Sequence, residues 1–318
     1  MNMADALIEN IIRMKNPSVV GLDPDIGKIP ACYKKGKPGG NPLESAAEAI
    51  AEFNRDIIDA VADIVPAVKP QMAFYEKYGS CGVAAFEKTV AYAKQRGLIV
   101  IEDAKRNDIG NTAQAYADGH LGMVELLDGT RTASVNADFL TVTPFLGSES
   151  LRPFVEASIR YNKGIFVLVR TSNASAGEIQ SAKTPEGLTI SQSIARYVAS
   201  QAEVSVGSHG YSPIGAVVGA TYPDEAVSLR SLMPKSWLLV PGYGAQGGSA
   251  MDILPCFNPD GLGAIVNSSR AILYTHMSDA ERACCTRQEY LQRVRVAAKA
   301  MQCDIYGALK AAYPDMIY

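Results

Sequence analysis

"LIVIEDAKRNDIGNTA", Leu98 to Ala113, begins as a β-branched apolar run and turns within a few residues into a cluster of opposite charges. Apolar runs that short fill strands buried on both faces, as in a parallel sheet. Asp103, Lys105 and Asp108 then fall where such a strand would end. In parallel α/β folds the loops converge at that end, and chemistry gathers there. The stretch therefore raises two questions: how many such strands the chain holds, and what meets at their tips.

Eight runs of this kind recur: 18–23, 66–71, 98–105, 138–144, 164–170, 214–220, 237–242 and 263–269. Most are followed by a helical pattern, such as 42–64 or 81–97, the latter closing on Gly97, suited to a helix C-terminus. Ser278 and Glu281 stand at capping-box spacing before a long helix, on which Cys284 and Cys285 would point apart. Parallel strands need a crossover between them, so the alternation predicts a parallel sheet. Eight units predict a closed α/β barrel, a (β/α)₈ TIM barrel, rather than an open doubly wound sheet; no GxGxxG follows the first strand. The reading is one domain over 1–318, with an N-terminal helix and insertions near 24–42 and 171–188.

Composition narrows the function. With 47% apolar and 20% charged residues the chain can build a large core, and a net charge of −3 gives no reason to expect a nucleic-acid partner. The short, Gly-rich basic cluster 34–40 reads as a solvated loop. No apolar run approaches the ~18 residues needed to cross a bilayer, and acidic residues interrupt the N-terminus where a signal peptide would be apolar. The six cysteines show no CxxC and no Cys/His spacing suited to zinc, so a cytoplasmic location without a membrane is expected.

Side chains alternate along a strand, so Asp103 and Lys105 share a face, with Val100, Glu102 and Ala104 on the other. If Ile101, Asp103 and Lys105 point inward, a carboxylate and an ammonium enter the barrel mouth together. Lys69 in "AVKPQ" and Asp23 in "VGLDPD" end other strands and can reach the same mouth. Burying one such ion alone is prohibitive; alternating signs relieve much of that cost. A structural salt-bridge network would look the same in sequence, but three strand ends contributing at once favour a functional site. Glu102 has no evident partner beyond a basic residue on a helix. His120, His209 and His276 all lie away from the predicted strand ends, so no catalytic histidine is offered.

Opposite in the chain, the seventh run leads into "PGYGAQGG" (241–248) and the eighth into "NSSRAI" (267–272). Glycines let backbone N–H groups approach an anion, and phosphate sites in these barrels are built from the loops after strands seven and eight. Arg270 adds a permanently charged fork, and Gln246 an amide that donates and accepts. A phosphorylated small-molecule ligand is the expectation.

"DAKRNDIGNT", "VGLDPD", "VKPQMAFYEKYG", "PGYGAQGG" and "SSRAI" together resemble the orotidine 5′-phosphate decarboxylase family, most closely its longer bacterial branch, from Val20 to about Ile272. The resemblance implies decarboxylation of orotidine 5′-monophosphate to uridine 5′-monophosphate, in pyrimidine nucleotide synthesis, with no cofactor and no metal. It implies a catalytic array of Lys69, Asp103, Lys105 and Asp108, with Lys105 protonating C6. It implies a homodimer in which Asp108, Ile109 and Thr112 reach across the interface. Asp23 and Lys69 match residues that hold ribose hydroxyls, and Ser172 in "RTSNASAG" the serine that reads the pyrimidine edge. Gln246, Gly247, Ser269 and Arg270 fall in the phosphate grip. Many relatives carry Gly at the position of Ser269 and Pro at that of Ala174; Tyr243 and Tyr274 have no clear counterpart. Sister barrels that bind Mg²⁺ share the Asp-x-Lys-x-x-Asp string but place a glutamate near the end of strand two, where this chain has Lys69. A non-catalytic nucleotide-binding barrel is the other alternative; no member of the charged array is missing to favour it.

Overall fold

A computed structural model describes residues 2–34, 40–244, 247–274 and 277–318. The eight barrel strands are β1 (Ser18–Leu22), β2 (Ala67–Pro70), β3 (Ile99–Arg106), β4 (Phe139–Val142), β5 (Gly164–Arg170), β6 (Ser212–Val218), β7 (Ser236–Val240) and β8 (Ala264–Ser268). Each pairs in parallel with its neighbours in chain order, and β1 pairs with β8, so the sheet closes. All eight expected runs are strands of this one closed barrel. Their near-continuous burial is what two covered faces require.

Helices separate the strands: α1 (Met3–Met14), α2 (Pro42–Val61), α3 (Gly79–Gln95), α4 (Gly110–His120), α5 (Ser148–Arg160), α6 (Ile190–Ala202), α7 (Pro223–Leu232) and α8 (Arg287–Ala312), with shorter turns between. α1 precedes the barrel and covers the end where the strands begin. Its Leu7, Ile8 and Ile11 are fully buried. Asp5 accepts from the backbone N–H of Ser208 and His209, just before β6. α3 stops at Gly97, whose φ of +77° is a left-handed conformation that favours glycine. None of the described helices is long and apolar enough to cross a membrane.

The capping box at Ser278 forms, but the helix it starts is short, Asp279–Cys284. Cys285 and Thr286 are extended, and Thr286 opens a second box with Glu289 that starts α8. An N-cap needs β-region backbone, so the second cap breaks what periodicity reads as one helix. Cys285 consequently lies outside both helices. A two-stranded hairpin, 124–125 with 131–132, turns at Asp128–Gly129 between α4 and β4 and adds nothing to the barrel. It is too short to show strand periodicity.

Inside the barrel Phe139 and Phe166 stack with ring centroids 5.0 Å apart. At the mouth, Gly21 near the end of β1 makes room for the tip of β8: a Cβ there would stand 1.8 Å from Ser269 Oγ and 2.8 Å from Ser269 Cβ. Overpacked positions of this kind cost about 1–3 kcal/mol. Gly21→Ala is therefore expected to lower the unfolding free energy by that amount, read as a lower urea midpoint, and adding Ser269→Gly should recover most of the loss. An unchanged midpoint in the single variant would show that the β1–β8 contact is loose.

Candidate active site

The tips of β2, β3 and β4 build one charged cluster around a single carboxylate. Asp103 Oδ2 accepts from Lys69 Nζ at 2.8 Å and from Gln71 Nε2 at 2.8 Å. Asp103 Oδ1 accepts from Lys105 Nζ at 2.5 Å and from Thr141 Oγ1 at 3.0 Å. Lys69 is 4% exposed and Asp103 7%. An ammonium so buried would cost several kcal/mol alone, and a unit pair 4 Å apart recovers about 4 kcal/mol at an effective dielectric near 20.

Titration follows from the same geometry. Burial pushes the Asp103 carboxyl up, but the charges of Lys69 and Lys105 outweigh it and hold the pKa well below the usual carboxylate range. Burial pushes Lys69 down, and Asp103 and then Asp23 outweigh that, raising its pKa above the ordinary lysine value. Asp103 and Lys69 are therefore both charged throughout the neutral range.

Lys105 reaches Asp103 by a route that strict alternation does not give. Its φ is +50°, and the β3–β4 register shifts between Glu102 and Arg106. The strand bulges at its tip, with the Lys105 N–H donating to Thr141 Oγ1 at 2.9 Å. Only the ammonium end meets Asp103; the side chain stays 44% exposed. On the opposite face Glu102 is fully buried, its Oε1 2.8 Å from Nδ1 of His120 in the last turn of α4. His120, whose Nε2 accepts from Arg106 Nε at 3.3 Å, thus packs behind β3, away from the mouth.

Asp23 sits at the tip of β1 with a buried Oδ1 that has no hydrogen-bond partner. Its backbone carbonyl accepts from Tyr274 OH at 3.0 Å, and the same hydroxyl accepts from the Asp25 N–H at 2.9 Å. Tyr274, without a counterpart in the sequence comparison, is therefore the brace of the Asp23 loop. Asn267 on β8 likewise has a buried Oδ1 without a partner.

Asp108, Ile109 and Thr112 do not join the cluster within this chain. Among the described residues Asp108 accepts only from its neighbour's backbone N–H, at 2.8 Å, and Ile109 is 50% exposed. Ser172 lies at the base of the 171–188 segment, against Gly219. On the far side of the mouth, Gly244 and Gly247 take left-handed φ values of +73° and +92°, and the Gly247 N–H donates to Gly244 O at 2.8 Å. A Cβ on Gly244 would stand 3.4 Å from Ala271 Cβ, so the loops after β7 and β8 converge. Arg270 is exposed and makes no ion pair among the described residues. Tyr243 ties the first loop to α8 by donating to Asp304. Gln246 and His276 lie outside the described residues.

Gln71 and Thr141 were not singled out by the sequence reading, yet both donate to Asp103. Their signal was faint: Thr141 is a lone polar side chain on the inward face of an apolar strand. Among the described residues no group of three or more His, Cys, Asp or Glu side chains could hold a metal ion. A groove of about 580 Å³ opens between α2 and α3, lined by Glu44, Arg55, Cys81 and Lys88 among others, but no strand tip contributes to it.

The chain matches a family model and several known proteins. A family model described as orotidine 5′-phosphate decarboxylase / HUMPS family matches residues 20–283. The chain is 43% identical over 307 residues to orotidine 5′-phosphate decarboxylase of Rhodopirellula baltica, covering 96% of this chain and 100% of that one. It is 38% identical over 278 residues to the enzyme of the same name from Caldicellulosiruptor saccharolyticus, covering 87% and 90%. The solved structure of Leishmania donovani OMP decarboxylase superposes with a TM-score of 0.70 at 28% identity, covering 97% of this chain and 99% of that one.

The linkage has a definite sign. Asp103, with its pKa depressed from the ordinary 3.8, contributes stability that is complete above about pH 4 and fades as pH falls further. Lys69, raised from 10.5, contributes stability that is complete below about pH 10 and fades as pH climbs past it. The stability advantage of the native chain over Asp103→Asn should therefore be flat from pH 5 to 9 and shrink below pH 4. Urea midpoints at a series of pH values measure it; an advantage that persists undiminished at pH 2 would contradict an ionised Asp103.

Proposed function

The chain belongs to the orotidine 5′-phosphate decarboxylase / HUMPS family, and on that premise we propose the following reading of its site. It is a carboxy-lyase that decarboxylates orotidine 5′-monophosphate to uridine 5′-monophosphate in pyrimidine biosynthesis. The observation that carries the mechanism is one buried carboxylate, Asp103, shared by two ammonium groups at the barrel mouth.

In this reading the C6–carboxylate bond breaks heterolytically, CO₂ leaves, and the electron pair stays at C6. Lys105 lies across the site as a fixed positive charge while that pair develops and then passes its proton to C6, later recovering one from solvent. Lys69 and Asp103 supply preorganised charge that needs no rearrangement during the reaction. No cofactor takes part: the position where Mg²⁺-binding sister barrels place a glutamate holds the Lys69 ammonium, which repels a divalent cation.

Binding is shared around the mouth. Asp23, with its unpartnered buried oxygen, accepts from a ribose hydroxyl beside Lys69. Ser172 reads the pyrimidine edge. Gln246, Gly247, Ser269 and Arg270 hold the phosphate, for which the exposed Arg270 is uncommitted. Energy from that remote anion assists the chemical step as well as affinity. The enzyme acts as a homodimer, Asp108, Ile109 and Thr112 entering the partner's mouth. Supporting this, Ile109 is 50% exposed, and Phe145 and Leu146 on the adjacent loop are 78% and 46% exposed. A single domain over 1–318 and a cytoplasmic location complete the proposal.

Lys105→Ala should lower kcat by more than about 10³-fold, beyond the usual 10²–10⁴ range's midpoint for a lost acid, while uridine 5′-monophosphate still binds. Decarboxylation followed by the fall of orotate-ring absorbance, with calorimetric titration of the product, measures both; a fully active variant removes Lys105 from the donor role. Activity should survive excess EDTA. Arg270→Ala should raise KM for the nucleotide about 10–100-fold, as loss of a charge-assisted contact implies, and leave turnover of the phosphate-free nucleoside unchanged. Equal damage to both substrates would refute the phosphate assignment.

A further inference from the structure

The segment 171–188 leaves the tip of β5 with Ser172 at its base and returns to α6 without joining the sheet, and that base rests on one buried cation. Arg170, the last residue of β5, has a side chain only 3% exposed. Its Nη2 donates to Glu225 Oε1 at 2.8 Å and its Nη1 to Gln180 Oε1 at 3.4 Å. Its guanidinium lies 3.8 Å from the centroid of the Tyr222 ring. A flat guanidinium can stack and donate at its edge at once, which an ammonium cannot. Glu225 and Tyr222 follow β6, and Gln180 ends the short helix Gly177–Gln180 of the segment itself. One side chain thus joins a strand end, a helix and the overhanging segment.

Gln180 forms a second clasp, directed at the residues that flank Ser172. Its Oε1 also accepts from the Thr171 N–H at 2.9 Å, and its Nε2 donates to Thr171 Oγ1 at 2.8 Å. Thr171 Oγ1 in turn donates to Asn173 Oδ1 at 2.6 Å. From the other side, Thr221 Oγ1 donates to Ser172 O at 3.4 Å and Tyr222 OH to Asn173 O at 3.4 Å. A Cβ on Gly219 would stand 2.9 Å from Ser172 Cβ, so the backbone below presses close as well. Every residue of the triplet 171–173 is therefore held by a contact that traces back to Gln180, Arg170 or the Tyr222 loop.

We propose that Arg170 and Gln180 are positioning residues for Ser172: they fix the triplet 171–173 so that its serine meets the pyrimidine ring at a set height, and they thereby govern ring affinity. The proposal rests on the reading of Ser172 as the pyrimidine-edge contact. Neither residue touches a reacting atom. Their influence should fall on KM far more than on kcat, and it should vanish when there is no serine hydroxyl to position.

A double-mutant cycle tests both conditions on the full-length enzyme with orotidine 5′-monophosphate. Gln180 is only half-buried, so its variants are expected to fold, which a thermal melt checks. Gln180→Ala should raise KM about tenfold, the size of one well-placed hydrogen bond, with kcat changed less than about twofold. In a Ser172→Ala background the same substitution should change KM by less than about twofold. Gln180→Glu, which keeps the acceptor shared by Arg170 and the Thr171 N–H but loses the donor to Thr171 Oγ1, should leave KM between those of the native and Gln180→Ala enzymes. Equal KM ratios in both backgrounds, or a loss confined to kcat and thermal stability, would overturn the proposal and leave Ser172 in place as a ring contact. A Ser172→Ala enzyme with native KM would overturn the reading of Ser172 itself, and the positioning role with it.

Discussion

The mouth of this barrel is organised by a charge that cannot be removed without stranding others. Asp103 holds two ammonium groups and two neutral donors on its two oxygens. Each partner comes from a different place: Lys69 and Gln71 from β2 and the residue after it, Lys105 from the bulged tip of β3, Thr141 from β4. Their meeting requires the three strands to be parallel, adjacent and in register, which the parallel sheet of the barrel supplies. The electrostatics therefore depends on the barrel; the barrel gains little from it, since replacing a buried ion network by apolar groups is often neutral or stabilising. A costly arrangement that the fold does not need is best understood as serving the chemistry.

Across the mouth, the opposite design holds. The loops after β7 and β8 carry no buried ions among their described residues, only glycines in left-handed backbone, a brace from Tyr243 to α8 and one exposed guanidinium. On the proposed reading an anion completes that side, whereas the Asp103 cluster is complete without a ligand. A substrate held at both ends would thus bring its own negative charge to the unfinished side and meet finished, rigid charge at the other. This asymmetry matches a reaction in which the remote anion supplies binding energy and the ring meets fixed charge.

How much of this could be read from the chain depends on which residues carried a periodic or compositional signal. All eight strands were legible because burial on both faces leaves uninterrupted apolar runs, and "GIFVLVR" gave β5 to the residue. Asp103, Lys69 and Lys105 were legible because ions at the tips of such runs are conspicuous. The bulge at Lys105 was not, since it depends on Thr141 taking the backbone N–H across a strand pair, a long-range contact. Gln71 and Thr141 were missed for the related reason that neutral polar residues are common in any chain and become informative only when a partner is seen. The break between the Asp279–Cys284 helix and α8 shows that a second capping box can outweigh continuing periodicity. Arg170 was passed over because its partners lie 10 and 55 residues away.

The two lysines on Asp103 differ in one respect that separates their tasks. Lys69 is 4% exposed, enclosed and held on an oxygen it shares with Gln71, whereas the Lys105 side chain is 44% exposed and reaches the other oxygen only with its tip. A group that gives up a proton in each cycle must recover one, and an enclosed ammonium next to a carboxylate has no water from which to do so. A group that serves only as fixed charge gains from enclosure, because screening falls as water is excluded. The left-handed backbone at Lys105 follows the same logic: it carries the side chain to the solvent-facing rim, while Asp103 holds its ammonium tip in place. On the proposed reading, exposure assigns Lys105 as donor and Lys69 as its permanent counterpart, a distinction that residue type and spacing alone could not draw.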